Sequence, residues 1–158
     1  MPDRAAAARS ALVVEVVLDS PRVNEQQKVE LFERVFDWWN KGDLEEMLAE
    51  ATPDFEWDLT QSDIPGETGI YRGKDEYLRF ARGWREALGP TQLELEEAFE
   101  LDDGRLFARL TQAGTGTRSG VDVEIEYVQI VSYEGSSVKA SMVFTDLAKA
   151  RAAAGLEP

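Results

Sequence analysis

The chain has 158 residues, 43% of them hydrophobic, enough for one globular domain with its own core. Its 17 basic and 31 acidic residues leave a formal charge of -14, which repels phosphate backbones and anionic lipid, so neither nucleic acid nor a membrane is an expected partner. With no Cys and no His, disulfides, thiolate nucleophiles, imidazole bases and the common zinc ligand sets are excluded. No cofactor and no metal are expected, and any chemistry falls to carboxylates, Tyr, Lys, Arg, Ser and amides.

Residues 1–23 read as an N-terminal extension, an extra strand or helix ahead of a domain spanning 24–158. Its apolar run ALVVEVVL is short and interrupted by Glu15, and Asp19-Ser20-Pro21 makes a poor cleavage site, so the expected location is cytoplasmic. Asn24 can cap a helix running to about Trp39, with Val29, Phe32, Val35, Phe36 and Trp39 at helical spacing and Asn40-Lys41-Gly42 as its stop. Asp43 caps a shorter helix carrying Leu44, Met47 and Leu48 inward. The period then becomes two: Phe55, Trp57 and Leu59 alternate with Glu56, Asp58 and Thr60, the pattern of a strand.

A Ser-, Asp-, Pro- and Gly-rich loop, residues 61–69, precedes a third helix whose Tyr77, Ala81, Trp84 and Leu88 form one stripe, ending at Gly89-Pro90. Four strand patterns follow at about 92–101, 105–114, 120–133 and 137–145, with Asp102-Asp103-Gly104 and Glu134-Gly135-Ser136 as hairpin turns. Asp146 can cap a short last helix. No glycine pattern precedes a helix as a dinucleotide or P-loop site requires. Helices with an inserted strand, followed by an antiparallel meander, give an α+β plan in which a curved sheet wraps over helices.

Three blocks, WWNKGDLEEMLAEATPDFEW, TGIYRGKDEYLRF and FTDLAKARAAAGL, resemble the SnoaL-like, polyketide-cyclase-like branch of the nuclear transport factor 2 superfamily, over roughly residues 24–156. The resemblance implies a cone-shaped α+β barrel: a curved, mostly antiparallel sheet around three N-terminal helices, with a short C-terminal helix. It also implies one apolar pocket and, usually, a homodimer paired sheet to sheet. Catalytic members use acids or His pointing into the cone. The seat resembling the steroid isomerase's general base falls at or near Leu59, with Asp58 one step off it, and a one-residue step reverses the face. The inward His of the long penultimate strand is replaced by Gln129, and the last strand offers Ala140, Met142 and Phe144 where relatives often carry inward Arg and Tyr.

Two acids are candidate catalytic residues. Asp58 at the mouth of an apolar cone would have its pKa raised by desolvation, against the plainer reading of a solvated acid on the outer lane. Glu97 interrupts the apolar lane of Leu93, Leu95, Phe99 and Leu101, so either it points inward or a bulge at Glu96-Glu97 turns it out. Candidate ligand-binding residues are Trp57, Leu59, Tyr71, Tyr77, Tyr127, Gln129, Met142 and Phe144, an aromatic and apolar wall with a few hydrogen-bonding groups. The expected function is a small-molecule binding protein holding a flat, mostly apolar molecule. The alternatives are a cyclase- or isomerase-type enzyme with Asp58 or Glu97 as base, and a structural dimer with a filled cone. Val128 and Ile130 turn the outer face of their strand apolar, which suggests a homodimer through that face.

Overall fold

A computed structural model describes residues 23–64, 69–89, 91–115 and 120–157; the expected N-terminal strand or helix lies almost wholly outside them. Helix α1 (Glu25–Lys41) starts where the sequence places its cap. Asn24 Oδ1 accepts the Gln27 N–H at 2.8 Å and Gln27 Oε1 accepts the Asn24 N–H at 2.9 Å, a reciprocal capping box. The helix stops at Gly42, whose φ of 81° places its N–H against the carbonyls of Trp38 and Trp39, a conformation costly for any residue with a Cβ. Helix α2 (Leu44–Leu48) is capped by Asp43, and helix α3 (Gly73–Leu88) buries Tyr77, Phe80 and Ala81.

Among the described residues six strands, β1 (Ala51–Asp58), β2 (Ile70–Arg72), β3 (Gln92–Glu100), β4 (Leu106–Thr115), β5 (Asp122–Glu134) and β6 (Ser137–Phe144), form one open sheet in the order β2-β1-β6-β5-β4-β3. Every neighbouring pair is antiparallel except β1 with β6. Helix α1 packs on β3 and α3 on β1 and β2, so the helices fill the concave side of the sheet. A buried lysine fixes this arrangement. Lys28 Nζ pairs with Glu100 and donates to the Gly104 carbonyl at 2.6 Å, tying α1 to the β3–β4 hairpin. The result is the expected α+β cone, a curved unclosed sheet over helices, with β2 as an extra short edge strand that the loop-like sequence around it hides.

The two faces of the sheet carry separate apolar clusters. The concave face holds Phe32, Phe36, Trp39, Phe55, Trp57, Tyr77, Tyr127, Val131 and Val143. The convex face holds Leu101, Phe107, Val128, Ile130, Phe144 and Ala150, with Phe99, Met142, Ala154 and Leu156 packed against them. Ala150 comes from helix α4 (Leu147–Ala153), capped by Asp146 through the Lys149 N–H and packed on β5 and β6. Val128 and Ile130 are therefore buried within a single chain, at 3% and 1% exposure, so their apolar character does not by itself require a partner sheet.

Strand β6 corrects one expectation. Gln129 stands opposite Val143, and Ile130 opposite Met142, so Val143 shares the concave face with Gln129 while Met142 goes to the convex face with Ile130. Met142 and Phe144 thus belong to the outer cluster, and Ser141 and Val143 face the interior. Both lanes of SVKASMVF carry apolar residues, so alternation leaves the inward lane undecided; the pairing with β5 decides it.

Candidate functional site

A cavity of about 70 Å³ lies between α1, α2, α3 and the concave face. Its wall is mainly aromatic and aliphatic: Phe32, Phe36, Trp39, Phe55, Trp57 and Phe80 among others. Strand alternation presents these residues from β1, and the helical stripes of α1 and α3 present the rest. Trp57 and Tyr77 meet edge to face, with ring centroids 5.4 Å apart and planes at 82°. Phe80 continues this wall, stacked on Trp84 at 6.0 Å.

The polar groups of the wall come mostly from two strands. On β4, Gln112 is 2% exposed, and its Oε1 accepts from Tyr127 Oη at 3.1 Å and from Trp84 Nε1 at 3.1 Å. Gln112 Nε2 donates to Thr91 Oγ1 at 3.0 Å, and Trp39 Nε1 donates to the same oxygen at 2.9 Å. One amide thus joins α1, α3, β4 and β5 in a single buried network. On β5, Gln129 Oε1 accepts from Ser141 Oγ at 2.8 Å. Burial pushes the Tyr127 phenol far above its ordinary pKa of 10.0, with neighbouring Tyr77 adding to the effect. Burial likewise raises Tyr77, so both phenols are neutral donors and acceptors at any physiological pH.

Neither candidate acid lines this cavity. Asp58 Oδ1 accepts from the Thr60 N–H at 2.8 Å and from Thr60 Oγ1 at 2.6 Å, so the carboxylate closes the turn that ends β1. Glu97 lies at a register shift between Leu95 and Glu97, the bulge alternative, and pairs with Arg109 at 3.4 Å on the convex side. Leu59 is fully buried in the core beyond the end of β1, and Tyr71 on edge strand β2 packs against Phe80 at 5.1 Å; neither lines the cavity, and nor do Met142 and Phe144. Of the expected wall, Trp57, Tyr77, Tyr127 and Gln129 are brought together there.

The sequence reading omits Gln112, Ser141, Val143 and Glu50. Gln112 was detectable by the same signal as Gln129, an amide in the inward lane of Leu106, Ala108 and Leu110. Glu50 carries no such signal, since it sits in the turn between α2 and β1. Among the described residues it is the one carboxylate of the lining, and Arg34 on α1 grips it in a fork, Nε to Oε2 at 3.0 Å and Nη2 to Oε1 at 3.2 Å. Arg34 is largely exposed, which puts this pair at the rim of the cavity rather than inside it.

The SnoaL-like domain profile matches residues 32–140, more than half of the chain, from within α1 to the first half of β6. The chain belongs to the SnoaL-like domain family. No curated protein matches it in sequence. Among solved structures, this SnoaL-like chain is similar to an NTF2-like protein of unknown function from Burkholderia pseudomallei K96243, at 19% identity and a TM-score of 0.65 over 81% of this chain and 97% of that one. A proposed SnoaL-like polyketide cyclase from Jannaschia sp. CCS1 matches at 20% identity and a TM-score of 0.64, covering 85% and 95%. TerC, co-crystallised with polyporic acid, matches at 18% identity and a TM-score of 0.65, covering 78% and 94%. At these identities the likeness is one of fold. The assignment of residues rests on this chain's own geometry.

Proposed function

We propose that the protein binds a small, flat, largely apolar molecule in the cone and transfers no proton to it. The observation that carries this reading is the lining itself: an aromatic wall whose interior polar groups, Gln112, Gln129, Tyr77, Tyr127 and Ser141, are all neutral, while Asp58 and Glu97 are engaged elsewhere. Glu50, at the rim, has both oxygens occupied by Arg34. The cavity of about 70 Å³ supports this reading over the structural alternative, a cone filled solid by side chains. That volume is roughly half of the ~150 Å³ that accepts benzene in an engineered apolar core. The fitting ligand is therefore one that inserts a ring-sized part and leaves the remainder at the rim, or one that spreads the wall on entry.

Ethylbenzene, followed by shifts in the methyl signals of Val131, Val138 and Val143, tests this. Saturable shifts are expected in the wild type, and loss of at least about tenfold in affinity in Val35→Trp, which fills the half-buried rim on α1. Absence of saturation up to the solubility limit would remove the binding reading. Exchange of α-protons of a bound ketone for deuterium, faster than in buffer alone, would restore the isomerase-type alternative.

A further inference from the structure

Resting on the binding reading above, we infer that this cavity selects a neutral ligand carrying a hydrogen-bond acceptor oxygen, a ketone or similar carbonyl, and that Trp57 is the residue that recognises it. The wall holds a donor with no acceptor among the described residues. Trp57 is 8% exposed, and its indole Nε1–H is buried with no acceptor among the described residues. An indole N–H only donates, so no rearrangement of its own hydrogen can satisfy it, and a buried donor left unmet forfeits the hydrogen bond it would make with water. Gln129 lines the same wall, and with Oε1 receiving Ser141, its Nε2 is the end with hydrogens still to give. Tyr77, edge-on to Trp57, adds a neutral hydroxyl.

The amide oxygen of Gln112 is by contrast committed. Both lone pairs of Gln112 Oε1 are taken, by Trp84 and by Tyr127, and the Tyr127 hydrogen is spent in the second of these bonds. A ligand that brings an acceptor therefore satisfies donors that are otherwise unmet, whereas a pure hydrocarbon leaves them so. A carboxylate would bring acceptors too, but also a full charge, and among the described residues the lining offers no cation to pair with it. Its only charged member among the described residues is Glu50, of the same sign. Burying an unpaired charge costs far more than one hydrogen bond returns.

Three ligands of one shape separate these effects: ethylbenzene, acetophenone and benzoate, titrated against the whole chain with the four Trp indole N–H signals resolved by nitrogen-15 labelling. The expected result is acetophenone binding about tenfold or more tighter than ethylbenzene, with a downfield shift of the Trp57 indole proton and no measurable benzoate binding. In Trp57→Phe the ratio of acetophenone to ethylbenzene affinity should fall towards one, whatever the change in either affinity alone. Equal affinity for acetophenone and ethylbenzene, an unmoved Trp57 signal, or benzoate binding tighter than acetophenone overturns the inference while the binding reading stands. Failure of all three ligands to bind removes both together. The wild-type affinities and the Trp57 indole shift decide between these outcomes even where Trp57→Phe does not fold.

Discussion

Ser141 on β6 and Gln129 on β5 are joined by one hydrogen bond of 2.8 Å, Oγ donating to Oε1, and both residues are almost fully buried. The bond fixes which end of the amide is engaged. Removing the hydroxyl in Ser141→Ala leaves Gln129 Oε1 buried without its donor, and the expected cost is about 1–2 kcal/mol of stability in urea unfolding. The doubly substituted Ser141→Ala, Gln129→Leu chain should recover part of that loss, because it removes the orphaned acceptor as well. A double variant less stable than the sum of the two single changes would contradict this account.

Gln112 is the more consequential amide. Its Oε1 holds Trp84 and Tyr127, and its Nε2 holds Thr91, so Gln112→Leu strands two buried donors and unseats a third partner at once. We expect a loss of roughly 2–4 kcal/mol, against about 1 kcal/mol for Tyr127→Phe, which removes one donor and leaves Oε1 still bound to Trp84. Comparable losses from the two variants would show that the network is not shared through Gln112.

Asp58 and Glu97 give the converse expectation. Asp58→Ala removes a turn-closing acceptor and should cost about 0.5–1 kcal/mol, and Glu97→Gln breaks a half-exposed pair with Arg109 worth roughly 0.2–1 kcal/mol. Neither change should alter ethylbenzene or acetophenone affinity by more than about twofold. A tenfold effect on binding from either would return that acid to the site.

The fold was legible because its determinants are local. Asn24 and Gln27, Asp43 and Asp146 announce helix starts through side chains that reach only three residues along the chain, and Gly42 announces a helix end through a backbone N–H that reaches three or four. The inward lane of β5 is equally readable, since acidic residues at Asp122, Glu124 and Glu126 mark the opposite face. What alternation cannot supply is anything decided between strands. Which lane of β6 faces the cavity depends on its register with β5, and Glu97 is turned out by a bulge in β3 that the sequence leaves open. Glu50 reaches the rim only because α2 ends two residues before it, and Trp57's unmet N–H is a property of its surroundings rather than of its position in a pattern.

Ile130 separates folding from assembly. It is 1% exposed in the single chain, in a cluster with Phe107, Val128, Phe144 and Ala150. Ile130→Glu should therefore destabilise the chain itself by at least about 3 kcal/mol, whatever its oligomeric state. We propose that a homodimer, if formed on this side, uses the half-buried margin of the cluster, Phe99 and Met142, rather than Ile130. Sedimentation of Met142→Glu is the cleaner test: a shift towards monomer with little loss of stability supports that face, and an unchanged dimer removes it.

Two buried phenols and a half-buried one weaken the fold at alkaline pH. Burial raises Tyr77, Tyr127 and Tyr133 above the ordinary value of 10.0, because the folded interior disfavours phenolate. Unfolding releases them to titrate near that ordinary value. Below it both states hold the proton and stability is unaffected; above it the unfolded chain loses protons that the folded one keeps, so stability falls as pH rises. Each phenol contributes a slope of about 1.4 kcal/mol per pH unit once the unfolded form is ionised. Urea unfolding from about pH 9 to about pH 11 should show that decline setting in near pH 10, and Tyr127→Phe should lessen the slope by about one phenol's share. Parallel curves for the two proteins across that range would mean that Tyr127 ionises in the folded state and is not held neutral by its burial beside the cavity.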